Sequence, residues 1–121
     1  MGANAKLVQQ AYDAFGRGDI ATVIGMLDAK VEWTSPRALP HGGEFSGPEQ
    51  VGKFFEGIGS TWSALPLTIE SVDEAGDNVV GILQADGTLK SGKGQSYAAV
   101  HLFEIRNGKI TRFREYVNQL A

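Results

Sequence analysis

The last quarter of the chain constrains its fold most. Residues 97–105, Tyr-Ala-Ala-Val-His-Leu-Phe-Glu-Ile, pass through Arg106-Asn107-Gly108-Lys109 into Ile110-Thr-Arg-Phe-Arg-Glu-Tyr-Val-Asn118. Two strand-like runs around Asn-Gly predict a long β-hairpin. Alternate residues of a strand share a face. The odd positions Tyr97, Ala99, His101, Phe103, Ile105, Thr111, Phe113, Glu115 and Val117 hold both phenylalanines of the hairpin and few charges, so they are expected inward. The even positions mix Ser96, Glu104, Arg112, Arg114 and Asn118 with Val100, Leu102, Ile110 and Tyr116, and are expected outward. Two turns are open. A three-residue loop Arg106-Asn107-Gly108, with Gly108 left-handed, sets odd opposite odd and brings His101 and Glu115 to one face. A two-residue Asn107-Gly108 turn sets odd opposite even and separates them. The three-residue loop is preferred, because it keeps Phe103 and Phe113 inside while Arg112 and Arg114 face out.

Composition narrows the function classes. At 121 residues the chain is expected to form a single domain, 1–121, large enough for its own core. Apolar residues make up 42% and charged residues 21%, which suits a globular protein. The absence of cysteine excludes disulfides and thiolate metal sites. A net charge of −3 with dispersed Lys and Arg gives no basic patch for nucleic acid. No segment approaches the ~20 apolar residues of a membrane span, and no signal-like apolar run opens the chain. The expectation is a cytoplasmic protein without nucleic-acid or membrane partners.

Upstream of the hairpin the pattern is helical, then β. Residues 5–17 place Leu7, Val8, Ala11, Tyr12, Ala14 and Phe15 on one helix face, with Asn4 as N-cap and Gly16-Arg17-Gly18 as the stop. Asp19 caps a short second helix bearing Ile20, Val23, Ile24 and Leu27. Lys30–Thr34 reads as a strand ended by Pro36. The Pro/Gly-rich residues 35–47 are expected to form the rim of an entrance. Pro48 and Glu49 open a third helix whose apolar face is Val51, Phe54, Phe55 and Ile58. Leu65–Val72 and Val79–Leu89 are strands, with turns at 74–78 and at Ser91-Gly-Lys-Gly94. Gly92-Lys93-Gly94 lacks the following Lys-Ser/Thr and helix of a phosphate loop, and is expected to be a hairpin turn. Helices gathered on one face of an antiparallel sheet define an α+β fold. The expected shape is a cone: a curved antiparallel sheet of about four long strands plus a short one, wrapped around three helices from the N-terminal half.

That element order, with Gly18-Asp19 between two helices and Gly47-Pro48-Glu49 leading to Phe54-Phe55, resembles the nuclear-transport-factor-2-like superfamily. The ending from Val100 to Tyr116 is most similar to its SnoaL-like branch of polyketide cyclases, whose relatives include ketosteroid isomerases and limonene epoxide hydrolases. The resemblance covers essentially the whole chain and implies the cone fold and a cofactor-free small-molecule site. It implies that His101 stands where SnoaL-type cyclases place a histidine and where ketosteroid isomerase places a protonated Asp, a worked case of pKa tuning. Glu115 stands where the cyclases and epoxide hydrolases place an acidic Asp. Asp86 matches a second Asp of the epoxide hydrolases, with Gln84 in place of an Arg. The isomerase's general-base Asp corresponds to Ser35 and its catalytic Tyr to Ala11, so ordinary isomerase chemistry is not expected.

The candidate catalytic pair is therefore His101 and Glu115, with Glu115 taking a proton next to a carbonyl and His101 donating to the enolate oxygen. The alternative is a polar pair satisfied within the core, or Glu115 turned to solvent. Trp33, Tyr97, Phe113, Phe55 and Asp86 are the candidate substrate-binding residues, and Trp62 is a further aromatic candidate. Glu32, which alternates with Trp33, is then on the surface. His41, in the Pro/Gly loop, is expected to be solvated, and a metal site built on His41 and His101 is not expected. The leading function is acid/base proton transfer on a hydrophobic carbonyl or polycyclic substrate. The alternatives are a non-catalytic small-ligand-binding protein and an epoxide hydrolase using Asp86 and Glu115. The apolar share of the outward sheet face predicts a homodimer.

Overall fold

A computed structural model describes residues 2–118. Its elements run α1 (Ala3–Gly16), α2 (Ile20–Gly25), β1 (Leu27–Ser35), β2 (Gly43–Ser46), α3 (Gly47–Thr61), β3 (Trp62–Ala64), β4 (Leu67–Ala75), β5 (Asn78–Leu89), β6 (Gly94–Arg106) and β7 (Lys109–Val117). The fold is the expected α+β arrangement, a curled sheet with its helices in the N-terminal half. The sheet is larger than expected, with seven strands in the order β2-β1-β7-β6-β5-β3 and β4 also paired to β5. The two additional strands are β2, from within the expected rim loop, and β3; β1 extends beyond Lys30–Thr34 and lies parallel to β7, placing Trp33 beside Phe113.

The terminal hairpin combines features of both turns considered. The loop is the two-residue one: Arg106 pairs with Lys109, and Asn107 and Gly108 both take positive φ, 53° and 74°, as a type I′ turn requires. Left alone, that turn would set odd against even. One extra residue on β7 restores the register, because Ile105 pairs with Ile110 but Glu104 pairs with Arg112. Thr111 is the bulged residue, and its hydroxyl donates to the Glu104 carbonyl at 3.1 Å. His101 therefore faces Glu115 and Phe103 faces Phe113, as expected, but by a different turn. Two residues change sides as a result. Ile110, expected outward, is fully buried, and Thr111 leaves the inner set.

Helix α1 starts earlier than expected, with Gly2 rather than Asn4 at its N-cap and no side-chain cap from its own sequence. Instead the Glu74 carboxylate reaches across from β4 and accepts from Ala5 N–H at 2.7 Å. An anion at the open N–H groups of a helix also complements its dipole. Asp19 caps α2 as expected, accepting from Thr22 N–H. The sheet's inner face packs on Val8, Val51 and Phe54 of the helices through Val31, Val79, Phe103, Ile105 and Ile110. Among the described residues, no helix is long and apolar enough to cross a membrane.

Candidate active site

Three strands and one helix bring four polar side chains into the cone. Alternation on β6 and β7 turns His101 and Glu115 inward at one cross-strand pair, and alternation on β1 turns Ser35 inward after Val31 and Trp33. His101 and Glu115 are only 7% and 9% exposed. The imidazole Nε2 lies 2.8 Å from Glu115 Oε2, and the Ser35 hydroxyl donates to Oε1 at 2.7 Å. On the other side of the ring, Nδ1 lies 2.8 Å from the Tyr12 hydroxyl on α1. With Glu115 ionised, Nε2 donates to it whether the ring is neutral or charged. Nδ1 then accepts from Tyr12 in the neutral ring and donates to it in the charged one. Tyr12 and His101 also stack, with ring centroids 5.7 Å apart. The approach needs a glycine: a Cβ at Gly81, the cross-strand neighbour of His101, would occupy the place of the Tyr12 hydroxyl.

Glu115 is the acidic member of this chain. Burial pushes its carboxyl up. The hydrogen bond from His101, the favourable electrostatics of that imidazole, the Ser35 hydroxyl and the nearby His41 ring together outweigh burial and hold it below the usual carboxylate range. Burial, reinforced by the nearby Glu115 charge, pushes the Tyr12 and Tyr97 phenols far up, so both remain protonated donors. Burial holds His41 below its ordinary value, against the upward pull of Glu115.

These groups border an apolar hollow of about 70 Å³. Ligand pockets for drug-sized molecules run to roughly 300–1,000 Å³, so this space suits a molecule of a few heavy atoms rather than a polycyclic one. Trp33, Tyr97, Phe113 and Phe55 line it, together with His101 and Glu115. Trp33 stacks on Phe113 at 4.0 Å between ring centroids. Asp86 is not brought to the hollow. It is exposed on the opposite sheet face, where it accepts from the Ser96 hydroxyl at 2.8 Å. One residue of register decides this, since Ala85 faces in. Without Asp86 the two-carboxylate site of an epoxide hydrolase is not assembled.

The loop at 36–42 also departs from expectation. Leu39 is buried in the core beside Trp62, and His41 is buried at the wall, where it accepts a hydrogen bond from Trp62 Nε1 at 3.0 Å. A groove between the C-terminal ends of α1 and α3 and the β3–β4 segment shares Tyr12, Phe15, Ile58, Leu65 and Leu67 with the hollow. Glu32 is exposed, as its alternation with Trp33 predicts, and Gly92 turns with positive φ between β5 and β6. Among the described residues, no three His, Asp or Glu side chains converge as a metal site requires.

Sequence reasoning did not name Tyr12 as a site residue, expected His41 to be solvated, and noted Ser35 only through the resemblance. The inward parity of Ser35 with Trp33 was available in the sequence. For Tyr12, the signal was a phenol on a buried helix face, where a hydroxyl needs a partner. His41 carried no comparable signal.

A helix-capped, curled sheet with a buried carboxylate–imidazole–phenol chain at the wall of an apolar hollow places the protein in the cone-fold class. The sequence profile of the SnoaL-like domain matches residues 8–113, and the chain belongs to that family. Among curated proteins, none matches. Among solved structures, the chain is similar to a nuclear-transport-factor-2-like protein of unknown function from Burkholderia pseudomallei, at 25% identity and TM-score 0.90, covering 98% of this chain and 92% of that one. It is similar to a protein from a soil-derived mobile gene cassette at 26% identity and TM-score 0.86, covering 96% and 89%. A protein of ketosteroid-isomerase-like fold from Catenulispora acidiphila, 18% identical with TM-score 0.80 over 91% and 83% of the two chains, shares the fold.

Proposed function

We propose that this protein is a cofactor-free enzyme that moves a proton on a small carbonyl compound, with Glu115 as the base. The observation that carries this reading is the buried Glu115 carboxylate, held ionised by His101 and Ser35 at the wall of an apolar hollow. A carboxylate accepts about four hydrogen bonds, so two donors leave lone pairs for substrate. The C–H bond beside the carbonyl breaks, its proton passes to a Glu115 oxygen, and the electron pair becomes an enolate. Return of the proton to another carbon, or loss of a leaving group, completes the reaction. A carboxylate below its usual range is a weak base in the open site. Substrate filling the hollow expels the remaining water and pushes the carboxyl up, toward a better base.

His101 acts here as a positioning residue. Its two nitrogens face Glu115 and Tyr12, so it orients the base and does not donate to the enolate. The same reading includes a homodimer formed through the outer face of the sheet.

Exchange of the α-protons of small ketones in heavy water, followed by proton NMR, tests the base without knowledge of the natural substrate. The protein is expected to accelerate exchange above the buffer rate. Glu115→Gln is expected to remove about 10²-fold or more of that acceleration while leaving ketone binding intact. Saturable binding without exchange would instead support a ligand-binding protein of the same fold.

A further inference from the structure

The groups of the catalytic chain are largely committed to one another, which leaves open what binds a substrate oxygen. Each ring nitrogen of His101 has a protein partner, and each oxygen of Glu115 has a donor. An entering carbonyl needs an N–H or O–H from another wall. Three hydrogen-bonding groups lining the hollow have an atom with no partner among the described residues: Trp33 at Nε1, His41 at Nε2 and Tyr97 at its hydroxyl. The His41 and Tyr97 atoms are not among the sealed ones. The unpartnered side-chain nitrogens shut away from open space are Trp33 Nε1 and Arg114 Nε.

His41 is the better defined of the two. Indole N–H only donates, so the contact with Trp62 obliges His41 Nδ1 to accept, and the neutral ring carries its proton on Nε2. The loop that carries it is pinned. Leu39 N–H donates to the Pro36 carbonyl at 3.0 Å and Gly42 N–H to the Leu39 carbonyl at 2.9 Å. A Cβ at Gly42 would run into that Pro36 carbonyl, so only glycine lets the loop close this tightly. Edge-to-face contacts with Phe54 and Trp62 hold the ring itself, at 5.5 and 6.0 Å between centroids. Burial disfavours the charged ring, and Glu115 is near enough for the two to perturb each other. The result is a fixed, neutral N–H at a wall shared with the carboxylate, the type of donor that stabilises developing oxyanion charge.

We infer that His41, its tautomer set by Trp62, donates from Nε2 to the carbonyl oxygen of a small aldehyde or ketone held in the hollow with Glu115. The inference deepens the proton-transfer reading and rests on it for the chemistry, though not for the binding. In the reaction, the electron pair released by the C–H bond moves onto the carbonyl oxygen, which Nε2–H stabilises without giving up its proton.

Two measurements on the intact protein test it. Long-range proton–nitrogen correlation NMR of the unliganded protein at neutral pH is expected to show His41 with bare Nδ1 and protonated Nε2. A proton on Nδ1 overturns the inference. Butanone is then titrated against the wild type, His41→Phe and Trp62→Phe, with xenon as a probe of the hollow that needs no donor. Loss of the donor in His41→Phe is expected to weaken butanone by about tenfold while xenon binding persists. Trp62→Phe is expected to retain the donor but mix the tautomers and weaken butanone by a smaller factor. Equal butanone affinity in the wild type and His41→Phe, or no butanone binding by the wild type, overturns the inference. Failure of Glu115 as a base is read separately, since it abolishes α-proton exchange and leaves butanone on His41.

Discussion

At the scale of single residues, the site sets two titrations against acid. Glu115 is held below the ordinary carboxylate value of 4.5 in the folded chain. Its ionised form therefore contributes stability above that value, lost as pH falls toward the folded pKa. His41 is held below its ordinary value of 6.5 because burial favours the neutral ring. Below 6.5 the unfolded chain takes up a proton that the folded one refuses, so this group also costs stability as pH falls. The melting temperature is thus expected to decline in two stages on acidification, the first below 6.5 from His41 and the second below 4.5 from Glu115. His41→Gln should flatten the first stage and Glu115→Gln the second, measured by calorimetry across both. A melting temperature that rises on acidification through the first stage would contradict the assignment. Gly81 belongs to the same scale: its missing side chain lets the Tyr12 phenol reach His101.

At the scale of elements, two features separate what the sequence could show from what it could not. The inward set Tyr97, Ala99, His101, Phe103 and Ile105 was legible because β6 alternates without interruption. The meeting of His101 with Glu115 was legible only as a consequence of hydrophobic pairing, with Phe103 against Phe113. Its mechanism was hidden, because an Asn-Gly turn and a bulge at Thr111 cancel in register, and a bulge leaves no period in the sequence. Tertiary partners were hidden for the same reason. Asp86 looked inward through resemblance, yet local alternation places it out beside Ser96. The cap of α1 is the second case, since its acceptor, Glu74, comes from a strand far along the chain. Gly2 fits beneath it because a Cβ there would collide with the carboxylate. Glu74→Ala removes both the cap and the favourable charge at the helix terminus. The expected cost is about 1 kcal/mol, read from urea denaturation, with Glu74→Gln recovering part of it. An unchanged midpoint for Glu74→Ala would show that water replaces the cap at no cost.

At the scale of the whole molecule, the sheet has one face filled by the cone and the other left open. Ile82, Val100 and Tyr116 are the most exposed large apolar side chains on that outer face among the described residues, 39%, 38% and 52% exposed. They are not scattered. Ile82 pairs with Val100 and Val100 with Tyr116, so the three form a single row across β5, β6 and β7. Arg114, one step along β7 on the same side as Tyr116, buries its Nε without a partner. A second copy placed by a two-fold axis would lay such a row against its own image, covering apolar surface on both chains at once. It would also bring acceptors of the partner toward the Arg114 nitrogen, whose burial without a hydrogen bond is otherwise costly. Sedimentation equilibrium is expected to give twice the chain mass, and Val100→Lys with Tyr116→Glu to give the monomer. The inner wall gains nothing from either substitution, because both side chains point away from the hollow. The double variant should therefore still bind xenon and butanone, and a monomeric wild type at every concentration would rule the pairing out.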